Sequence, residues 1–276
     1  MELEVGGWSF SAHASGPDDG VGVLALHGFP EGARCWDRVS GPLAAAGCRV
    51  VAPDQRGYSR GARPDAVSAY ALPQLVADAV GFLDALGWRS AHLLGHDWGA
   101  IVAWTVAARH PERVRSLTAV SLPHPQAYGA ALRSDPVQQR LSGYLGLFRA
   151  MDGKAEQVLL ADGAAALRAF FAGSGMGEAE VDVLVRPLRE PGALTAALAW
   201  YRAMAPEDYA EVPAVSVPTT YVWGTADLGV ARAAAEGCAA WVAAGYRFVE
   251  LDGVSHWVPE EAPDQLAEAV LARVRA

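Results

Sequence analysis

An α/β fold, with a mostly parallel central sheet flanked by helices and an all-helical cap inserted between two core strands, is predicted by three features of the 276-residue sequence. Short β-branched runs alternate with longer amphipathic stretches through the first 123 residues. The alternation stops between residues 124 and 212. It resumes at residue 213 and continues to the end of the chain.

In chain order, Val21 to Leu26 ("VGVLAL") reads as a buried strand ended by His27-Gly28, and Cys48 to Pro53 ("CRVVAP") as a second, ended by Pro53-Asp54. Ala91 to Gly95 reads as a third. Between them, "RCWDRVSGPLAAAG" and "LPQLVADAVGFLDALG" space their apolar residues by three and four, as amphipathic helices do. The stretch "WGAIVAWTVAARHPERV" is apolar on nearly all sides, which predicts a buried helix. The strand Arg115 to Leu122 follows it. From His124 to Val212 only Ala-rich and Leu-rich helical stretches occur, cut by "GSGMGE" and "REPG". The strand Pro218 to Gly224, an Ala-rich helix ending at "VAAG", the strand Tyr246 to Leu251 and a final helix complete the pattern. Strict alternation predicts a parallel sheet covered on both faces. The expected division is a core of residues 1–123 and 213–276 and a helical cap of 124–212. Such a cap lies over the carboxyl ends of the strands, where open α/β sheets bind ligands.

Composition narrows the partners. With 52% hydrophobic residues the chain buries a full core. A net charge of -9 opposes binding to nucleic acid or an anionic membrane surface, which leaves a small molecule as the expected partner. The acidic N-terminal stretch does not resemble a signal peptide, and no run approaches the roughly 18 apolar residues of a membrane span, so a cytoplasmic protein is expected. Cys35, Cys48 and Cys238, odd in number and widely spaced, suggest neither a disulfide framework nor a zinc site. Nothing separates a monomer from a homodimer.

Gly95-His96-Asp97-Trp98-Gly99 joins a predicted buried strand directly to a predicted buried helix. Small residues two before and two after the centre allow a sharp, strained turn that projects the apex residue from the top of the sheet. Asp97 holds that apex. Taken alone it reads equally as the cap of the following helix. Three other features favour a chemical role. His256, in the loop "DGVSHWVPEE" after the last strand, follows in the place of a general base. Asp227, in "VWGTADLG" just past a strand end, is placed to orient that base; as an isolated residue it is a turn-former. Asp208 and Asp252 compete for that role, but neither sits at a strand's carboxyl end in the required order. In "HGFPE", the Phe29 backbone N–H, with that of Trp98, forms a candidate oxyanion hole above Asp97.

Together HGFPE, "DQRGYS", GHDWGA, GTAD and the His256 loop resemble the α/β-hydrolase superfamily and, within it, the aspartate-nucleophile subset, closest to soluble epoxide hydrolases. A carboxylate needs no deprotonation and suits displacement at saturated carbon, giving an alkyl ester on the enzyme. Water activated by His256 then attacks the ester carbonyl. An aspartate at the apex therefore points to epoxides or alkyl halides. An epoxide oxygen leaves as an alkoxide and needs strong donors, and the resemblance implies two lid tyrosines. "AWYRAM" resembles the NWYR-type motif, with Ala199 in place of the usual asparagine, and assigns Tyr201. "SGYLGLF" resembles the other segment and assigns Tyr144, although "RAMDGKAE" replaces the proline-glycine that usually follows it. Tyr128 and Tyr209 read as core or surface residues. Trp98 fits either leaving group. Glu31 resembles an acidic residue that relatives use in a water network near the histidine; by itself it reads as a solvated loop glutamate. The expected function is cofactor-independent hydrolysis of a small apolar epoxide to a vicinal diol through an Asp97 alkyl ester. The alternatives are a haloalkane or haloacid dehalogenase using the same residues, and a ligand-binding protein that kept the scaffold.

Overall fold

The computed structural model describes residues 1–205, 208 and 211–276; Tyr209 lies outside the described residues. Its centre is one eight-stranded sheet of β1 (Glu2–Val5), β2 (Trp8–Ser15), β3 (Val21–Leu26), β4 (Cys48–Pro53), β5 (Ala91–His96), β6 (Val114–Val120), β7 (Thr219–Gly224) and β8 (Tyr246–Leu251), in the spatial order β1-β2-β4-β3-β5-β6-β7-β8. From β4 to β8 all neighbours are parallel. The α/β expectation is met, with strands where the β-branched runs predicted them.

Two strands go beyond the sequence reading. β1 and β2 form an antiparallel hairpin with Val5 opposite Trp8, and β2 runs antiparallel to β4. The turn is Gly6-Gly7, both at positive φ, the backbone that a two-residue hairpin of this twist requires. That "GG" between two alternating runs was the available signal.

Successive side chains of β3 face opposite ways. Val23 and Ala25 join one core with Val39 and Leu43 of α1 (Asp37–Ala45) and Leu266 and Val270 of the C-terminal helix Pro263–Val274. Leu24 and Leu26 join the other with Phe82 and Leu83 of α2 (Leu72–Ala85) and Ile101 and Val102 of α3 (Trp98–Arg109). Each such fully buried side chain contributes about 1.5–3 kcal/mol. The two layers fix the sheet so firmly that the loops at its carboxyl edge start from rigid points.

β3 has β4 on one side and β5 on the other, so the order of the chain reverses there. The loops after β3 and β5 leave the sheet side by side in the crevice where α/β sheets bind ligands. Between β6 and β7 the described residues contain the helices α4 (Pro125–Ser134), α5 (Pro136–Leu141), α6 (Leu145–Arg149), α7 (Lys154–Ala169), α8 (Glu178–Val185) and α9 (Ala193–Ala203), a 3-10 turn at Arg186–Arg189 and, just before β7, a single bridge from Val215 to Val242. α7 is broken by non-helical backbone from Ala161 to Ala164.

The insertion is fastened to the rest by specific bonds. The Trp200 indole donates to the Arg56 carbonyl at 2.8 Å, and that of Trp257 to the Phe170 carbonyl at 2.7 Å. Arg60 and Arg63 both reach Glu190. Where the insertion leaves and rejoins the sheet, the His124 imidazole Nε2 lies 3.1 Å from the Pro213 carbonyl. None of the described helices is long and apolar enough to cross a membrane.

Candidate active site

Between the end of β5 and the start of α3, Asp97 has φ 51 and ψ -121, a left-handed backbone that costs a non-glycine residue about 1–3 kcal/mol. The turn exists because its neighbours have no side chains. A Cβ on Gly99 would lie 2.0 Å from the Leu26 carbonyl oxygen, and one on Gly28 would lie 2.3 Å from the Asp97 Cβ. The helix-cap alternative for Asp97 fails, because its side chain accepts no cap hydrogen bond from α3. Instead Oδ1 accepts from the Phe29 backbone N–H at 2.9 Å, and Oδ2 faces His256 Nε2 at 3.5 Å. Trp98 opens α3 at the same apex, so its N–H belongs to the group that has no partner within the helix. The Phe29 loop is itself braced from β4: the Gln55 N–H donates to His27 Nε2 at 3.0 Å, and the Gln55 amide to the His27 carbonyl at 2.6 Å.

His256 Nδ1 lies 3.0 Å from both carboxylate oxygens of Asp227. Asp227 is buried just beyond β7, and its Oδ1 also accepts from the N–H groups of Gly229, at 2.7 Å, and Val230, at 3.1 Å. The competitors are occupied elsewhere: Asp208 accepts from the Ala205 N–H, and exposed Asp252 from the Thr225 hydroxyl. The His256 carbonyl accepts from the Ser121 hydroxyl at 2.8 Å and from His96 Nε2 at 2.9 Å, which pins the loop behind the ring. Burial alone would lower the His256 pKa, but the Asp227 and Asp97 carboxylates outweigh it and hold the imidazole well above its ordinary range. Burial likewise favours a protonated Asp97, and His256 with the Phe29 N–H overcomes it, keeping the carboxyl below its usual value. At neutral pH the centre is therefore an imidazolium between two carboxylates.

Tyr144, at the start of α6, and Tyr201, in α9, line one cavity with Asp97, Trp98, Ile101, Leu122, Tyr128 and Leu145. The Tyr144 and Tyr201 ring centroids are 6.3 Å apart. Burial raises the Tyr201 phenol well above its usual pKa, with Tyr144 and Asp97 adding to the shift and the adjacent Trp98 indole opposing it. Phe29 and Phe148 pack edge-on against Tyr201, with centroids at 5.4 and 5.1 Å. The cavity measures about 10 Å³, the room of roughly one water. Tyr128 is a core residue, as its sequence reading allows; its ring also joins this lining, and its hydroxyl lies 3.1 Å from the Ser142 hydroxyl. Burial pushes its phenol up to about 12.

Glu31 departs from its sequence reading, because the side chain read as solvated is fully buried. A turn, from the Glu31 N–H to the Gly28 carbonyl, folds it under the loop, where Oε2 meets His96 Nδ1 at 2.7 Å. His96 thus links Glu31 to the His256 carbonyl. Behind Glu31 stands Glu260, a neighbour that sequence reasoning missed; "PEE" after His256 gave no signal of burial. Burial and the Glu31 charge push the Glu260 carboxyl well above its normal range, while His96 holds Glu31 below its own despite burial. Neither Glu260 oxygen has a hydrogen-bond partner among the described residues, and a proton kept on Glu260 spares the interior a second carboxylate charge beside Glu31.

Because the folded-state pKa of Glu260 is raised, the stability it contributes is full below its unfolded value of 4.5 and is lost as pH climbs through the folded value. Glu260→Gln keeps a donor toward Glu31 and removes the titration. It is expected to melt on the order of 2–4 °C above the parent at pH 8 and to show no gain at pH 4. Thermal melts at both pH values check this, and an equal shift at the two would contradict it.

Among the described residues no three His, Cys, Asp or Glu side chains converge as metal ligands would. Residues 23–263 match the family model described as the alpha/beta hydrolase fold. The AB hydrolase superfamily protein YfhM of Bacillus subtilis is 31% identical over 98% of this chain and 95% of its own length. Epoxide hydrolase A of Mycobacterium tuberculosis is 32% identical over 90% of this chain and 88% of its own. Among solved structures, Bacillus megaterium epoxide hydrolase in complex with an inhibitor superimposes with a TM-score of 0.91 at 25% identity, covering all of both chains. Epoxide hydrolase A from Mycobacterium thermoresistibile gives 0.87 at 28% identity, over 100% of this chain and 98% of that one. With a matching family model across most of its length and relatives that share its whole span, this chain belongs to the α/β-hydrolase fold family.

Proposed function

We propose that the protein is an epoxide hydrolase that needs no cofactor, opening a small apolar epoxide to a vicinal diol. The observation that carries this reading is the shared cavity: a buried, ionised Asp97 faces the two phenols of Tyr144 and Tyr201 across a space with apolar walls. The named relatives that are epoxide hydrolases support it. The residues 124–212 act as the lid that brings both phenols over the sheet.

In the first half-reaction Asp97 Oδ2 forms a bond to one ring carbon, the carbon–oxygen bond of the ring breaks, and its electron pair goes to the epoxide oxygen, which takes a proton from a tyrosine. Oδ1, already held by the Phe29 N–H, becomes the ester carbonyl. Esterification removes the charge beside His256 Nε2, so the imidazolium loses the support that raised its pKa and gives up a proton, while the tyrosinate regains one. In the second half, water adds to Asp97 Cγ and passes its proton to neutral His256. The oxyanion on Oδ1 is met by the N–H groups of Phe29 and Trp98. Collapse breaks the Cγ–Oδ2 bond, the departing alkoxide takes the proton left on the added oxygen, and the diol leaves with carboxylate and imidazolium restored.

The dehalogenase reading could place a halide on the Trp98 indole, but it gives no role to the phenols of Tyr144 and Tyr201, which share the cavity with Asp97. A haloacid would also need a cation, and no arginine or lysine lines the cavity among the described residues.

Single turnover of styrene oxide in heavy-oxygen water tests the proposal. Label is expected in the Asp97 carboxylate, and the first diol formed is expected to carry an unlabelled oxygen from Asp97. Diol formation without label in Asp97 would mean direct attack by water. Release of halide from a chloroalkane, with no epoxide turnover, would revive the alternative.

A further inference from the structure

Gln138 lies in α5, outside the reacting centre, and is fully buried, which is unusual for glutamine. Its position along the helix is set by Asp135, whose Oδ1 accepts from the N–H groups of Val137 and Gln138. The side-chain amide is saturated. Nε2 donates to the Ser142 hydroxyl at 2.9 Å and to the Gly229 carbonyl at 2.8 Å, while Oε1 accepts from the Ala231 N–H at 2.8 Å. Turning the amide over would set its NH2 against the Ala231 N–H and its oxygen against the Gly229 carbonyl, so the orientation is fixed by its partners.

The two backbone groups that Gln138 grips belong to the loop that holds Asp227. In the same three residues, the N–H groups of Gly229 and Val230 donate to Asp227 Oδ1. Gly229 therefore faces Gln138 with its carbonyl and Asp227 with its N–H. At the preceding residue, Leu228, the loop is open to solvent and 76% exposed, so it has no apolar anchor there. On its far side Gln138 continues through Ser142, two residues before Tyr144, to the Tyr128 hydroxyl at the cavity wall.

From this clasp we infer that Gln138 is a positioning residue: it holds the 229–231 loop so that Asp227 stays on His256 Nδ1, and it makes the alignment of the base depend on the seating of the helical insertion. The inference rests on the epoxide hydrolase reading for its kinetic consequence, not for its structural one. His256 faces Asp97, Asp227 and the His96 ring, whose centroid is 5.0 Å away. Without the clasp the Asp227 loop relaxes, the Asp227 contribution to the imidazolium weakens, and the base acts later and less well in ester hydrolysis.

The test uses Gln138→Met, close in size but without an amide, and Ser142→Ala, which leaves the grip on Gly229 and Ala231 intact. The His256 ring titration, followed by NMR in the substrate-free protein, is expected to move down in Gln138→Met and to stay in place in Ser142→Ala. Hydrolysis of the alkyl-enzyme is expected to slow about tenfold in Gln138→Met, with alkylation changed less than about twofold. An unmoved His256 titration, or an equal loss in both steps with only a lower melting temperature, overturns the proposal. Should Gln138→Met not fold, Gln138→Asn, which stays uncharged but is one methylene too short to reach Gly229 and Ala231, is read in the same way. If the parent protein turns over no epoxide, the functional reading fails alone, because the titration needs no substrate.

Discussion

His256→Gln is expected to stop the cycle halfway, with the protein gaining the mass of one epoxide molecule and keeping it. Ring opening needs the Asp97 carboxylate and a phenol, and neither is lost in this variant. Hydrolysis needs a base within reach of a water on Asp97 Cγ, and glutamine cannot take that proton. Asp97→Ala is expected to form no adduct and to lose turnover by about four orders of magnitude or more. Intact-protein mass spectrometry after mixing with styrene oxide distinguishes the two variants. An adduct on Asp97→Ala would remove Asp97 as the nucleophile, and full turnover by His256→Gln would remove His256 as the base. The parent enzyme has a matching pH signature. Its imidazole titrates well above the ordinary histidine range while both carboxylates are charged. In the ester form one charge is gone, so the histidine that must be neutral for hydrolysis titrates lower than in the resting enzyme. The hydrolysis rate is expected to rise with pH through that lower value and to level off before the resting histidine titrates.

Tyr201→Phe carries the second large effect. Removing an acid that protonates an alkoxide leaving group costs about 10²–10⁴-fold in the step it serves, here alkylation, and leaves the decay of a preformed ester nearly unchanged. Trp98 lies 4.9 Å from the Tyr201 ring, centroid to centroid, so stopped-flow tryptophan fluorescence reports the alkylation phase directly. Tyr144→Phe is expected to act on the same phase. Equal rates in Tyr201→Phe and the parent would remove Tyr201 from the ring-opening step.

How much of this was legible in the sequence follows from where the information lies. The parallel core was readable because β3, β4 and β5 are covered by helices and therefore carry long apolar runs. The elbow was readable because Gly95 and Gly99 answer a steric demand that no other residue meets. Asp227 and His256 could be located by chain order alone, and the structure brings both to Asp97. The β1–β2 hairpin was passed over because its strands are short and half-exposed, so their alternation is weak. Glu31, Glu260 and Gln138 were opaque for a different reason: burial of a polar side chain depends on partners that are distant in the chain. Nothing at position 31 announces His96, and nothing at 138 announces the loop that follows β7.

The single-water volume of the cavity has a kinetic meaning. An epoxide larger than that space enters only as the aromatic side chains of the helical insertion make room, so a productive encounter begins from a more open arrangement. The apparent affinity for any substrate is then its intrinsic affinity scaled by the fraction of molecules that are open. A substitution at the His124–Pro213 contact, remote from every reacting atom, would change the Michaelis constant of large and small epoxides by the same factor, because it alters how often the door stands ajar and not what lies behind it.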